Sequence, residues 1–284
     1  MATAEPALGV TAQLQALSRD RQRVVHAKVA CQSRLSAVLQ AYHPGPLHLF
    51  SELDRDISLE FIREYPTPQQ ARRVKTARMA QFCARRGYSG RTDPGVLVER
   101  LTAHLLSASA GTTAGKSFAA TLFADELRMH TEHLRAFDRQ IAQLLTQHPD
   151  APIFLSFPGI GPTVAATLIS EMGDDRTRFP TAAALLAEAG LAPVTKASGR
   201  TRQVRFRYAA NRRMRHAIDW WAFVASREDP WSKAVYTAGR ARGQGQYRAL
   251  RGLGARWTRI LWRAWTDHAN YDPTRHPRPE MPAA

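Results

Sequence analysis

The chain has 284 residues, enough for one or two domains, and its 44% hydrophobic and 23% charged residues are ordinary for a globular protein. Its charge is unusual, because 40 Lys and Arg against 24 Asp and Glu give +16 at pH 7, which indicates a polyanionic partner. No apolar run reaches the roughly 20 residues of a membrane span, the first ten residues do not resemble a secretory signal, and Cys31 and Cys83 are too few for a disulfide framework or a four-thiolate zinc site. We therefore expect a cytoplasmic, nucleoid-associated protein with no membrane partner.

The first 150 residues predict a long helical coiled-coil hairpin that carries a helical insert. Apolar residues recur every three or four positions over 12–42 and again over 117–147, and His43-Pro44-Gly45 ends the first of these helices. The insert occupies about 47–110, and the small, polar residues 108–116 predict a linker. At this spacing the apolar stripes favour helix packing over a ligand site.

A glycine hairpin follows, with the sequence Pro158-Gly159-Ile160-Gly161-Pro162. Two glycines around one apolar residue favour a tight turn, and Pro162 is suited to the first position of the next helix. The backbone N–H groups of such a turn can bind one phosphate, so Gly159 and Gly161 are candidate nucleic-acid contacts. A plain corner between two helices is the alternative, whereas a dinucleotide-binding motif fits poorly because a third glycine and a βαβ unit are missing.

Almost all of the excess positive charge lies in one stretch near the C-terminus. Between Lys196 and Arg263 there are 17 Lys and Arg against three acids, which leaves the other 216 residues with a net charge of only +2. Nearly all of these cations are arginine, whose planar fork binds phosphate at two points and stacks on bases. A solvated helix surface is the alternative, but such surfaces usually mix both signs of charge.

A serine lies at the start of this stretch, in a loop that follows a helix ended by Gly190. A hydroxyl is a weak nucleophile unless a base or a metal activates it, and arginines stabilise the charge that builds on a phosphate under attack. Residues 203–208 alternate and predict a short strand, and Asn211 opens the next helix. A common Ser-Gly turn remains the alternative for Ser198. The candidate nucleic-acid contacts around it are Lys196, Gly199, Arg200, Arg202, Arg205, Arg207, Arg212 and Arg213.

The order of these pieces resembles the C-terminal half of the insertion-sequence-110 family of transposases, also called bridge RNA-guided recombinases. The likeness rests on the glycine hairpin, AGLAPVTKASGRTRQVRFR, NRRMRHAIDWWAF, the Arg- and Gly-rich segment from Gly239 to Trp265, and a closing NYDP. It implies a mainly α protein, with a coiled-coil region over 1–150, a C-terminal transposase domain with a helix-hairpin-helix over 151–273, and a disordered tail over 274–284.

The resemblance also implies a mechanism. The family's catalytic serine corresponds to Ser198 in Ser198-Gly199, and it would attack a DNA phosphodiester to form a covalent phosphoserine link before strand exchange. Magnesium (Mg2+) would assist by polarising the phosphate. The implied partners are DNA, a non-coding guide RNA and further copies of the same chain, as a dimer or tetramer.

One part of the family pattern has no match. The family carries an Asp-Glu-Asp-Asp tetrad for magnesium in a RuvC-like domain before the first long helix, where this sequence has a single acid, Glu5. Asp54, Asp56 and Glu60 come later, and we interpret them as solvated surface charge. We therefore expect no metal ligands in this chain, which by itself would bind nucleic acid without recombining it.

The sequence is consistent with three functions. The chain is a truncated serine transposase, a catalytically dead nucleic-acid-binding module, or a repair-like helix-hairpin-helix protein. The third lacks a suitable catalytic Lys and Asp pair, and the first two differ in chemistry rather than in fold.

Overall fold

The computed structural model describes residues 9–104, 106, 108–198 and 201–275, without the side chains of 195–197, 202 and 204. The chain is mainly helical, as predicted. It divides into two compact units: the helical unit, Arg21–Phe137, and the basic unit, Met1–Asp20 with Asp138–Ala284. The predicted boundary near residue 150 is therefore not where the structure divides, because each long helix contributes residues to both units. The predicted tail lies almost entirely outside the described residues.

The helical unit contains most of two long helices and five short helices between them. The long helices are α1 (Gly9–Tyr42) and α7 (Ala110–Leu145). The short ones are α2 (Gly45–Leu49), α3 (Asp56–Glu64), α4 (Pro68–Arg72), α5 (Thr76–Arg85) and α6 (Pro94–Ala103). Thr67 caps α4 in a capping box with Gln70, and Pro68 is the first residue of the helix.

Two apolar clusters hold this unit together. In the first, Leu35 and Leu39 of α1 share one buried cluster with Ala120 and Ala124 of α7. The second fills the insert and is rich in aromatic rings, among them Phe61 and Phe82, whose centroids lie 5.4 Å apart in an edge-to-face arrangement. The insert therefore has a core of its own.

Glu60 is not the solvated charge that the sequence suggested. Its carboxylate lies between the guanidinium groups of Arg63, Arg86 and Arg128, and its side chain is only 17% exposed. Asp54 forms an ion pair with Lys28 at 2.7 Å, in which both side chains are largely buried. These acids hold helices together, since removing one partner would leave a poorly solvated cation without its counter-charge.

The predicted linker over 108–116 is wrong, because α7 already begins at Ala110. The Ser109 hydroxyl accepts a hydrogen bond from the backbone N–H of Thr112 at 3.1 Å and so caps the helix. Thr113 is buried one turn later. Capping and packing outweigh the low helix propensity of the small, polar sequence.

The basic unit comprises the remaining helices and one two-stranded hairpin. The helices are α8 (Ala151–Leu155), α9 (Pro162–Met172), α10 (Ala182–Glu188), α11 (Arg212–Glu228), α12 (Pro230–Ala241) and α13 (Gln246–Thr266). The strands are β1 (Val194–Ser198) and β2 (Thr201–Arg205).

Three fully buried tryptophans form the centre of the basic unit, and each indole N–H has a partner. Trp221 donates to the Pro158 carbonyl at 2.8 Å, Trp257 to the Ser232 hydroxyl at 3.0 Å and Trp265 to Asp150 at 3.0 Å. Because buried donors without partners are costly, these bonds fix the register of α11 and α13 in the core.

The buried histidine at the end of α1 generates a prediction for the pH dependence of stability. Burial lowers the pKa of His43 to about 4 from its ordinary value of 6.5, so the unfolded chain takes up a proton that the folded chain resists. The free energy of unfolding should therefore fall as the pH drops from 6.5 to 4, by up to roughly 3 kcal/mol. Denaturant melts of the wild type and His43→Gln at several pH values check this, with His216→Gln, an exposed histidine, as control. An equally steep acid loss in the His43→Gln protein would contradict it.

Candidate nucleic-acid interface

The predicted serine lies at the tip of the β-hairpin. β1 pairs with β2 in antiparallel register, with Val194 opposite Arg205 at one end and Ser198 opposite Thr201 at the other. The strand predicted over 203–208 is therefore shifted, and it ends at Arg205. Ser198 is exposed, and its carbonyl accepts a hydrogen bond from the Thr201 hydroxyl at 3.1 Å.

One face of the hairpin carries a row of exposed polar side chains. Since directly opposed residues of an antiparallel pair point the same way, Ser198 shares this face with Thr201, Gln203 and Arg205. The Arg205 guanidinium donates to the Gln203 side chain at 2.6 and 3.1 Å, which holds it along the strand. Arg205 lies about 13 Å along the hairpin from Ser198 at the normal rise of a strand.

Other predicted contacts beside the serine are only partly described. Gly199 and Arg200 lie outside the described residues, and for Lys196 and Arg202 the structure gives only the backbone, in pairs with Gln203 and Ala197. Within the described part of the chain, no His, Asp or Glu side chain hydrogen-bonds to the Ser198 hydroxyl.

Arg215 fastens the base of the hairpin to the helices. Its guanidinium donates to the carbonyl of Ala189, which ends α10, at 3.2 Å, and to that of Arg207, which follows β2, at 2.7 Å. A Cβ at Gly190, where φ is +68°, would collide with this guanidinium. Gly190 therefore ends α10, as predicted, and also leaves room for Arg215, a role that the sequence did not indicate.

An aromatic ring adds to this attachment. The guanidinium groups of Arg215 and Arg251 lie 4.7 and 4.4 Å from the ring centre of Phe206, within cation–π range. Nearby Asp219 is half-buried, and burial raises its pKa although Arg251 and Arg215 act in the opposite direction. Sequence reasoning missed this group, since its members are separated by up to 45 residues.

Two predicted phosphate contacts have structural partners instead. Arg207 donates to the Ala192 carbonyl at 3.3 Å, across the base of the hairpin. Arg213 donates to Glu171 at 2.7 Å, and the side chain of Asn211 donates to the other oxygen of that carboxylate, also at 2.7 Å. Glu171 is 5% exposed, so this network joins α9 to the start of α11.

Arg212 is the exposed member of the pair that opens α11. Asn211 caps the helix, as predicted, by accepting from the Met214 N–H at 3.1 Å. An open cleft of about 510 Å³ adjoins Arg212 and is lined also by Glu188, Ala209, Ala210, Asn211 and Arg213. Arg212 is therefore available to a nucleic acid, whereas Arg213 is not free to turn toward one.

The glycine hairpin joins α8 to α9, and its two glycines differ. Gly159 has φ +77°, and a Cβ there would lie 2.9 Å from the backbone nitrogen of Ala225 in α11. Gly161 has φ −89°, is exposed, and has nothing within 4 Å of where a Cβ would be. Gly159 thus serves helix packing, and Gly161 is the member left open to a phosphate.

Among residues 9–104, 106, 108–198 and 201–275, no group of three or more His, Cys, Asp and Glu side chains could hold a metal ion. Each helix in those same ranges is either too short or too polar to span a lipid bilayer.

Comparisons with known proteins identify the family of the chain. The family model described as "Transposase IS116/IS110/IS902 family" matches residues 151–237, which include the glycine hairpin, the β-hairpin and α11. The chain is 32% identical over 277 residues to the Streptomyces coelicolor protein named as a transposase for the IS117 mini-circle, covering 94% of this chain and 66% of that protein.

Two other relatives also come from insertion elements. A 43.6 kDa protein of IS110 from S. coelicolor is 29% identical over 93% of this chain and 65% of its own length. A 42 kDa protein of IS900 from Mycobacterium paratuberculosis is 31% identical over 76% of this chain and 54% of its own length. The chain thus spans between about half and two thirds of these relatives. It belongs to the IS110-type family of insertion-sequence transposases.

The difference between the two glycines can be tested by substitution. Gly159→Ala should destabilise the protein by at least about 1–2 kcal/mol, because a side chain is strained at positive φ and meets α11. Gly161→Val should fold normally but weaken duplex DNA binding about tenfold, by obstructing a phosphate at the backbone N–H groups. Thermal melts and binding titrations measure both effects. If the Gly161→Val protein folds and binds duplex DNA as tightly as the wild type, the glycine hairpin has only a packing role between two helices.

The neighbouring arginines provide a second test. Arg212→Gln should lower duplex affinity and reduce the slope of log affinity against log salt by about 0.9, the loss of one phosphate contact, with stability unchanged. Arg213→Gln should instead lower stability, since it leaves buried Glu171 without one of its cations. A wild-type titration that is flat with salt, or equal binding losses in both variants, would contradict this assignment.

Proposed function

We propose that this chain supplies the serine-bearing, DNA-binding part of an insertion-sequence transposase, in which Ser198 attacks a DNA phosphodiester. The observation that carries the proposal is the exposed position of Ser198 at the tip of a hairpin that is fastened by Arg215 to a strongly basic unit. Family membership supports the reaction class.

The chemical step balances as a transesterification. The Ser198 oxygen forms a bond to phosphorus while the bond from phosphorus to one deoxyribose oxygen breaks. The serine proton passes to water, and the departing oxygen takes one up. Attack by another DNA hydroxyl on the phosphoserine link then releases the serine and joins a new pair of ends, so no outside energy source is needed.

Arg205 acts on a neighbouring phosphate rather than on the one attacked. Its distance of about 13 Å from Ser198 along the hairpin corresponds to roughly four nucleotides of a strand at 3.4 Å each. The arginine therefore positions the strand, with Arg212 holding the backbone further along the unit. Arg200 and Arg202, together with Lys196 and Gly199, remain the predicted contacts beside the attacked phosphate.

The family also suggests a guide RNA, magnesium and assembly of several copies, and we propose the RNA and the homo-oligomer as partners on that ground alone. Magnesium would polarise the attacked phosphate. The described residues offer no cluster of carboxylates that fits the ion.

A catalytically dead nucleic-acid-binding module is the second candidate. One observation favours it: within the described ranges no acidic or imidazole side chain hydrogen-bonds to the Ser198 hydroxyl. Such a module would bind DNA as tightly as the active protein and form no covalent link.

The two candidates are separated by trapping the covalent link. The chain is incubated with labelled element-end DNA in extracts of cells that carry the rest of the element, so that any further segment or RNA is supplied in trans, and the DNA is run on a denaturing gel. We expect a slow-moving adduct with the wild type and none with Ser198→Ala, at equal binding. Thr201→Val, which removes the opposing hydroxyl, should keep the adduct. If the Ser198→Ala protein still forms the adduct, another residue is the nucleophile. If neither the wild type nor any variant forms it, the catalytically dead module is favoured.

A further inference from the structure

Helix α11 has one buried and one exposed side. The buried side faces the core through Met214, Ala217, Ile218, Trp221, Ala222 and Ala225. The exposed side carries the surface stripe, which we define as Arg212, His216, Trp220, Phe223 and Arg227. Spacings of four, four, three and four residues place these side chains above one another along the helix.

Trp220 is the unusual member of the surface stripe. It is 53% exposed, whereas its neighbour Trp221 is completely buried. The Trp220 and Phe223 rings lie 5.5 Å apart with an interplanar angle of 35°, and the Arg227 guanidinium lies 4.0 Å from the Phe223 ring centre. Phe223 thus has a partner on either side, while Trp220 ends the stack with much of its surface in solvent. The core does not require a tryptophan here, because Trp221 already fills it.

The charge of the surface stripe indicates the kind of partner that it binds. The surface stripe has a cation at each end, Arg212 and Arg227, and contains no acid. Aromatic rings flanked by cations suit a single nucleic-acid strand, whose bases stack on the rings while its phosphates meet the cations. A duplex cannot use the ring, since its base faces are already stacked on one another.

We propose that Trp220 is a stacking platform for an unpaired base of a DNA strand. This inference rests on the proposed function, because a strand cut by Ser198 must leave its complement before it can be joined elsewhere. At 1.5 Å per residue, Trp220 lies about 12 Å along α11 from Arg212. One strand held by the phosphate at Arg212 therefore reaches the ring within a few nucleotides.

The test measures equilibrium binding of the whole chain to four probes of one sequence: a single DNA strand, the same strand with abasic sites, the duplex, and the corresponding RNA strand. Trp220→Leu should weaken binding of the single DNA strand roughly 5- to 150-fold, the loss of one base–aromatic stack. It should leave the duplex and abasic strand nearly unchanged. Trp220→Phe should restore most of the affinity. Phe118→Leu, which alters an exposed ring of the helical unit, is the control and should change nothing.

Three results would overturn the platform. These are an equal loss on the abasic strand, a loss confined to RNA, and a Trp220→Phe protein that binds single-stranded DNA no better than Trp220→Leu. If the platform fails while duplex binding and the covalent adduct persist, the proposed function stands without it. A wild-type protein that binds none of the DNA probes would contradict both.

Discussion

The attachment of the β-hairpin by Arg215 is the constraint on which the candidate site depends. A two-stranded hairpin is at best marginally stable by itself, so Ser198 at its tip needs support from the base. Two carbonyls receive the Arg215 guanidinium, the Phe206 ring lies against it, and Gly190 leaves the space that it occupies. Hydrogen bonds from a charged donor are stronger than neutral ones, which suits a single side chain to this task.

A second charged group, at the start of α11, is also held by partners inside the basic unit. Buried Glu171 binds Arg213 and Asn211, and it fixes the start of α11 from which Arg215 projects. Arginines of the basic unit therefore have two uses. Those with carboxylate or carbonyl partners build the unit, and exposed ones such as Arg212 and Arg205 are left for a polyanion. Net charge alone does not separate these uses, because it counts both kinds equally.

The sequence was most informative where the signal is local. Helix periodicity, Pro162 at the first position of α9, the Gly190 stop and the Asn211 cap all depend on residues within a few positions of one another, and all are confirmed. The mainly helical fold follows from these signals. Strand β2 was predicted to begin at residue 203 but begins at Thr201, because an alternating pattern indicates a strand without fixing its ends.

The contacts that could not be predicted from the sequence join residues that are far apart in the chain. Arg213 and Glu171 are 42 positions apart, and Gly159 meets Ala225 across 66, so neither the ion pair nor the packing contact has a local signature. Arg213 was therefore predicted to be a phosphate contact, and Gly159 and Gly161 were predicted to be equivalent. The start of α7 was hidden for a similar reason, since Thr113 is helical through burial rather than propensity.

The most direct test of the central claim identifies the atom that joins protein to DNA. Trypsin cuts after Lys196 and after Arg200, so digestion of a trapped complex, followed by nuclease treatment, isolates the tetrapeptide 197–200. Mass spectrometry should find a nucleotide remnant on this peptide, linked through phosphate to the Ser198 oxygen. A remnant on any other peptide would contradict the assignment of Ser198 as the nucleophile.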